Sequence, residues 1–238
     1  MKKLITFLLF FILNNPDLIA QDNFFQQANK FFSQYVKSGK VDYAAINTNP
    51  AQLQKLADEI ATIELAGKSA SFQKAFYINA YNILAIQQVV EKYPIKGPMQ
   101  IAGFFNNWSH QVAGLVMTLD ELEKKYLFPN FNDSRMHFAL VCAADGCPPL
   151  ASFAYQPDKI DIQLNDITRK GLNDDKFIRL NGKKEQVILS QIFSWYKKDF
   201  LQKSDNLIDF INQYRDKKIP ADYKVKFYEY DWSLNDVN

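Results

Sequence analysis

Cysteine and histidine are nearly absent: Cys142 and Cys147, His110 and His137 are all that the chain holds of either. Two cysteines allow at most one internal bridge, and the C-x4-C spacing with two distant histidines matches no common zinc pattern. The residues therefore indicate no metal and no cofactor. An excess of one charge is lacking too, with 28 lysines and arginines against 26 aspartates and glutamates. Binding along a phosphate backbone needs a clustered basic surface, so nucleic acid is excluded as a partner. Glycine and proline are sparse, at 8 and 9, and no linker, internal repeat or low-complexity tract divides the sequence. One domain is the expectation.

Long apolar runs are missing as well. The longest, Leu4 to Leu13, is about ten residues, half of the roughly 20 that a membrane-crossing helix needs. Preceded by Lys2 and Lys3, it has the layout of a secretory signal cleaved most simply after Ala20. Leu18 is larger than the small residue usual at that position, which allows a displacement of a residue or two. No cysteine follows to carry a lipid. The expected organisation is a signal peptide over residues 1–20 and a single domain over 21–238, exported to the periplasm or secreted, with no stable membrane span after cleavage. Loss of Lys2, Lys3 and Asp17 leaves 26 basic against 25 acidic side chains.

What the chain does have is apolar bulk. Its hydrophobic fraction is 47%, with 20 Phe and 12 Tyr, enough for a packed core and too much for disorder. Helical spacing dominates the first half. "DNFFQQANKFFSQYVKSGK" repeats aromatics at helical intervals and stops at Gly39, and "NPAQLQKLADEIATIEL" starts after an Asn49 cap with Pro50 in first position. A third helix runs from about Ser71 to Tyr93 and ends at Pro94. Further on, "HQVAGLVMT" reads as an extended pair bent at Gly114, and Thr118 with Glu121 forms a capping box for the helix of "MTLDELEKKYL". "RMHFALVC" reads as a strand, "FIRLNGKKEQVILS" as a hairpin closed near Asn181-Gly182, and "YKVKFYEYDW" as a last strand. Helices also span about Gln191 to Phe200 and Asp205 to Tyr214. The fold class is α+β, a helical N-terminal half packed on a largely antiparallel sheet.

The third helix poses a question. "FYINAYNILAI" is apolar on every side except at Asn79 and Asn82, one turn apart within neighbouring apolar stripes. Buried carboxamides without partners cost about 1–3 kcal/mol each, so both must be hydrogen-bonded. Either they tie the helix to backbone groups lacking a ladder partner, or they line a pocket and orient a ligand or reacting group.

Several segments together resemble the bacterial and plant proteins grouped as domain of unknown function 547. They are "VDYAAI", "AFYINAYNILAI", "YPI", "VAGLVMTLDELE", "RMHFALVCAADGCPPL", Ala154-Tyr155, "ILSQIFSWYKKDF" and "YDWSLND", spanning about Val41 to Asp236. The resemblance implies no particular activity, so chemistry must come from the residues.

The richest segment, "RMHFALVCAADGCPPL", admits three readings. Exported into an oxidising compartment, Cys142 and Cys147 would form a disulfide across the Asp145-Gly146 turn, stabilising by about 2 kcal/mol in the chain-entropy model. Alternatively Cys142 is a nucleophile with His137 as its base and Asn79 as the third member of a Cys-His-Asn set. On a regular strand, the five-residue separation sends His137 and Cys142 to opposite faces, so a dyad would need a bulge or a strand end. A redox-active pair is the third reading, although the spacing is not C-x-x-C. His137 itself suits a neutral core histidine as well as a functional one. His110, on a polar segment expected to be exposed, has no assigned role.

At "YEYDWSLND", Asp231, Trp232 and Asn235 read first as a C-terminal latch, with Trp232 packed into the core and a polar side chain capping a turn. Asn79, Asn82 and His137 are the candidate pocket residues, and His137, Cys142 and Asn79 the candidate catalytic ones. Two classes of function remain open. One is a module that presents a polar pocket to a small ligand, a peptide or an envelope protein. The other is a cysteine-dependent hydrolase or acyl transferase of the cell envelope.

Overall fold

The computed structural model describes residues 16–238, with side chains from Asn23 onward. Most of the expected signal segment, residues 1–20, lies outside the described residues. No described helix is long and apolar enough to cross a membrane.

Helix α1 (Pro16–Tyr35) leads into a small hairpin, β1 (Val36–Lys37) and β2 (Lys40–Val41), turned at Ser38-Gly39. Helices α2 (Tyr43–Thr48) and α3 (Ala51–Thr62) follow, and the long α4 (Ala70–Val90) runs through the centre. Asp42 caps α2 by accepting the Ala45 amide and Ser69 caps α4 by accepting that of Phe72. Asn49 closes the end of α2, so α3 starts after Pro50 without the side-chain cap expected of it. From Ala75 to Val90 almost every residue of α4 is buried, as its all-round apolar sequence requires. Phe76 reaches Phe24 of α1, and α2, α3 and α7 pack around the same helix.

The second half is a mixture of short elements. β3 (Ser109–Val112) and β4 (Leu115–Thr118) pair antiparallel across Ala113-Gly114, both at positive φ. Thr118 and Glu121 form the capping box that opens α5 (Leu119–Glu121). The helix continues through a π-helical stretch, Leu122–Leu127, into α6 (Phe128–Phe131). Helix α7 (Ile160–Asn173) precedes the hairpin of β5 (Ile178–Asn181) and β6 (Gln186–Leu189). Then come α8 (Ile192–Trp195), α9 (Lys197–Phe200), α10 (Leu207–Tyr214) and β7 (Lys224–Phe227). A buried cluster of Phe138, Phe177, Phe193, Phe200 and Phe210 binds these pieces together.

The class is α+β, with helices concentrated early and antiparallel hairpins later. Two details differ from the sequence expectation. The described strands form three small sheets, and β7 joins β6 in parallel. "RMHFALVC" is not a strand: Ser134–Phe138 is a 3-10 turn and the chain then runs on irregularly. The reason lies in α4. Asn82 Nδ2 donates to the Ala139 carbonyl at 2.9 Å and its Oδ1 accepts the Val141 amide at 2.9 Å, giving this backbone the partners a neighbouring strand would otherwise supply.

Candidate functional site: an aromatic cleft with a dithiol wall

The irregular run after Phe138 delivers Cys142 to a tight turn. Ala143 sits at φ +64°, a conformation that costs an alanine energy and that neighbouring contacts must hold. Those contacts come from the segment around Tyr230 to Asn235. The Asp145 and Gly146 amides donate to the Ser233 and Asp231 carbonyls at 2.7 and 2.9 Å, and the Asn235 amide donates to the Ala143 carbonyl at 3.0 Å. Asn235 also accepts from the Tyr43 hydroxyl at 2.8 Å, and Asp231 Oδ1 caps its turn by accepting from Ser233. Gly146 has to be glycine for this approach, since a Cβ there would lie 2.8 Å from the Asp231 oxygen. The segment is thus a latch, and it also builds the site, because Tyr230 and Trp232 project beside the cysteines.

Together these elements enclose a cleft of about 310 Å³. One wall is aromatic: Trp232 stacks on Trp195 with centroids 5.9 Å apart, and Tyr230 packs on both. Phe105, Tyr81 and Tyr196 extend this surface. The other wall carries Cys142, Cys147, His137 and two carboxyls, Asp120 and Glu123.

The two sulfurs are 2.9 Å apart, well beyond the bond length of about 2.05 Å, so the expected bridge is not formed and both cysteines are free. Their roles differ. Cys147 Sγ accepts the Cys142 amide at 3.2 Å and the Tyr230 hydroxyl at 3.0 Å, and lies against Cys142 Sγ. Burial pushes the Cys147 thiol up, but the Cys142 thiol, the Tyr230 hydroxyl and the Cys142 and Ala144 amides outweigh it, leaving the thiol below its ordinary value. Cys142 moves the other way, because the proton it shares with Cys147 and its burial both favour the neutral thiol. Cys147 is the sulfur that receives the Cys142 amide and the Tyr230 hydroxyl, where the residue pattern pointed to Cys142.

His137 lines the cleft but is not bonded to either sulfur. Its ring lies between Phe128 and Tyr196, at centroid distances of 4.2 and 4.0 Å, and Nε2 is 2.9 Å from Asp199 Oδ2. Burial holds this imidazole toward the neutral form, and the Asp199 carboxylate opposes burial only in part. Asn79 is outside the cleft. Its Nδ2 donates to the Tyr155 carbonyl at 2.8 Å and its Oδ1 accepts the Tyr155 amide at 2.9 Å, so the helix ties itself to backbone here as it does at Asn82. The Cys142-His137-Asn79 set is therefore not assembled. His110 is half-buried, with Nε2 2.7 Å from Gln88 Nε2, and lies away from the cleft.

Glu123 is the residue that pattern reading passed over. Its neighbours Asp120 and Glu121 pair with Lys124 and Lys125 on the surface, and the run reads as a solvated charged face. Yet Glu123 is four residues from Leu119 and four from Leu127, on the apolar stripe. The π-helical stretch presents it to the cleft, and such stretches recur at functional sites. It is 8% exposed, and burial, opposed in part by the nearby Tyr196 hydroxyl, raises its carboxyl to about 7.

Comparison with known proteins gives one family. Residues 65–170 match the model described as "Protein of unknown function, DUF547", so this stretch of the chain is similar to that family. No match was found among curated proteins or among solved structures. The matched stretch carries Tyr81, Phe105, Asp120, Glu123, His137 and both cysteines. Trp195, Tyr196, Tyr230 and Trp232 complete the cleft from beyond it.

Proposed function

We propose that this is an exported protein whose cleft receives a small ligand or peptide, and that Cys147 is the nucleophile of a hydrolase or acyl-transfer reaction there. The observation that carries the reading is the convergence of two hydrogen-bond donors and the Cys142 thiol on one sulfur in the wall of an aromatic cleft. A thiolate is the attacking species of a cysteine, and hydrogen bonds to it increase its share at neutral pH. In the step proposed, Cys147 Sγ adds to an acyl carbon, a C–S bond forms and the bond to the leaving group breaks. The leaving group takes the proton that Glu123 holds near neutrality. Water or a second nucleophile then resolves the thioester. Tyr230 and the Cys142 amide position the sulfur and Glu123 is the acid, while His137, first considered as the base of the thiol, takes no part in this step.

In an oxidising compartment the same two sulfurs would join as the Cys142–Cys147 disulfide, which would silence the nucleophile until reduced. The test is iodoacetamide labelling of reduced protein across a pH series, followed by peptide mass mapping, with Cys142→Ser and Cys147→Ser alongside. Cys147 should label first, with a half-maximal rate below the roughly pH 8.5 of an ordinary thiol. Preferential labelling of Cys142, or two thiols that resist labelling, would overturn the reading. Intact mass of exported protein before and after reduction reports the bridge directly.

A further inference from the structure

The lining of the cleft has a one-sided chemistry. Phe105, Trp195, Tyr230 and Trp232 offer ring faces and edges, and the ionisable groups beside them are the acids Asp120 and Glu123 and a histidine held neutral. Among the described residues, no lysine or arginine lines it. Lys124, on the same helix, pairs with the cleft-lining Asp120 at 2.5 Å and is 63% exposed, which leaves Glu123 as the acid without a cationic partner. Glu123, by contrast, is buried, and among the described residues no cationic side chain forms an ion pair with it.

We infer that the cleft recognises an alkylammonium group, held against the Trp195–Trp232 rings and paired with the Glu123 carboxylate. Ring faces attract cations, by about 2 kcal/mol or more where water is excluded, and a buried carboxylate without a partner gains most from one. The same surfaces repel a carboxylate or phosphate and offer a neutral alcohol packing and a hydrogen bond, without the charge attraction. The inference rests on the cleft being the functional site and deepens that reading by naming the class of its leaving group. An amine expelled from an amide by the Cys147 thiolate takes the Glu123 proton and leaves as the neutral amine; a further proton from water makes it the ammonium ion, beside the carboxylate that its departure has created. Run backward, the same pair would deprotonate an incoming amine.

Binding can be measured apart from thiol chemistry by using the Cys147→Ser protein. Its tryptophan fluorescence is titrated with n-butylammonium, butan-1-ol and butyrate at fixed ionic strength. Saturable quenching by n-butylammonium alone is expected, weakened about tenfold in Glu123→Gln. Because Glu123 is buried, Trp195→Leu serves as the second variant; this side chain is 49% exposed, and its loss should weaken binding severalfold. Equal binding of butan-1-ol, tighter binding of butyrate, or an unchanged response in both variants overturns the inference. Cation binding here together with an unreactive Cys147 would retain the ammonium site and reject the nucleophile.

Discussion

Helix α4 and the cleft place polar groups in apolar surroundings in two opposite ways. On the helix, Asn79 and Asn82 are buried and each carboxamide is spent at both ends on a peptide group, four bonds of 2.8–2.9 Å in all. In the cleft, Glu123, Cys147 and His137 line a cavity instead, where something that enters can reach them. A satisfied buried group rigidifies, and a buried group facing a cavity is available for chemistry. The difference separates structure from site more reliably than polarity alone.

The contrast can be broken from either side, and the largest effect is expected on the helix. Asn79→Ala would strand the Tyr155 amide and carbonyl and should lower stability by about 2–5 kcal/mol. Denaturant unfolding measures the loss, and the labelling rate of Cys147 in the folded protein should not change. A variant as stable as the parent would mean that these bonds are replaceable.

The next effect lies in the cleft. An acid with folded pKa about 7 against an ordinary 4.5 binds more protons folded than unfolded, so stability is full below about pH 4.5 and falls as pH rises toward 7. The span corresponds to roughly 3 kcal/mol at most. His137, held below its ordinary value by burial, acts in the opposite sense and removes stability as pH falls below 6.5. Glu123→Gln should abolish the loss between pH 5 and 8 and leave the histidine's acid-side effect in place. Thermal melts of both proteins across that range decide it, and parallel profiles would remove Glu123 from the account.

The smallest effect sharpens the assignment of the sulfur. Tyr230→Phe deletes one donor to Cys147 and keeps the ring that packs on Trp195 and Trp232. A lost hydrogen bond to a charged acceptor is worth about 1.5–3 kcal/mol. The pH midpoint of Cys147 labelling should therefore rise by about one to two pH units, while the melting temperature hardly moves. An unchanged midpoint would mean that the Cys142 amide and thiol suffice.

Much of the fold could be read from residue types. Helix spacing, the Thr118–Glu121 capping box and the turns at Ala113-Gly114 and Asn181-Gly182 are local signals, and they appear where short-range chemistry puts them. "RMHFALVC" misled because strand-like residues received their backbone partners from the side chain of Asn82, 57 and 59 positions earlier. The segment carrying the cysteines was visible as a candidate site, yet the preference for Cys147 over Cys142 in the proposed reading depends on Tyr230, 83 residues away. Glu123 was hidden by its charged neighbours, and only its register with Leu119 and Leu127 hinted at burial.

The latch has a consequence for the order in which the molecule comes together. Its backbone bonds join residues near 143–146 to residues near 231–235, and a Cβ at Gly97 would collide with the Trp232 carbonyl. Closing loops of this length costs entropy before any contact repays it, so the contacts of highest sequence separation tend to form late. Until the latch docks, Cys147 lacks the Tyr230 hydroxyl and stands open to any oxidant or electrophile present. The contacts that shelter the sulfur are those of the latch itself, so the accessibility of the thiol during refolding would report when the latch closes.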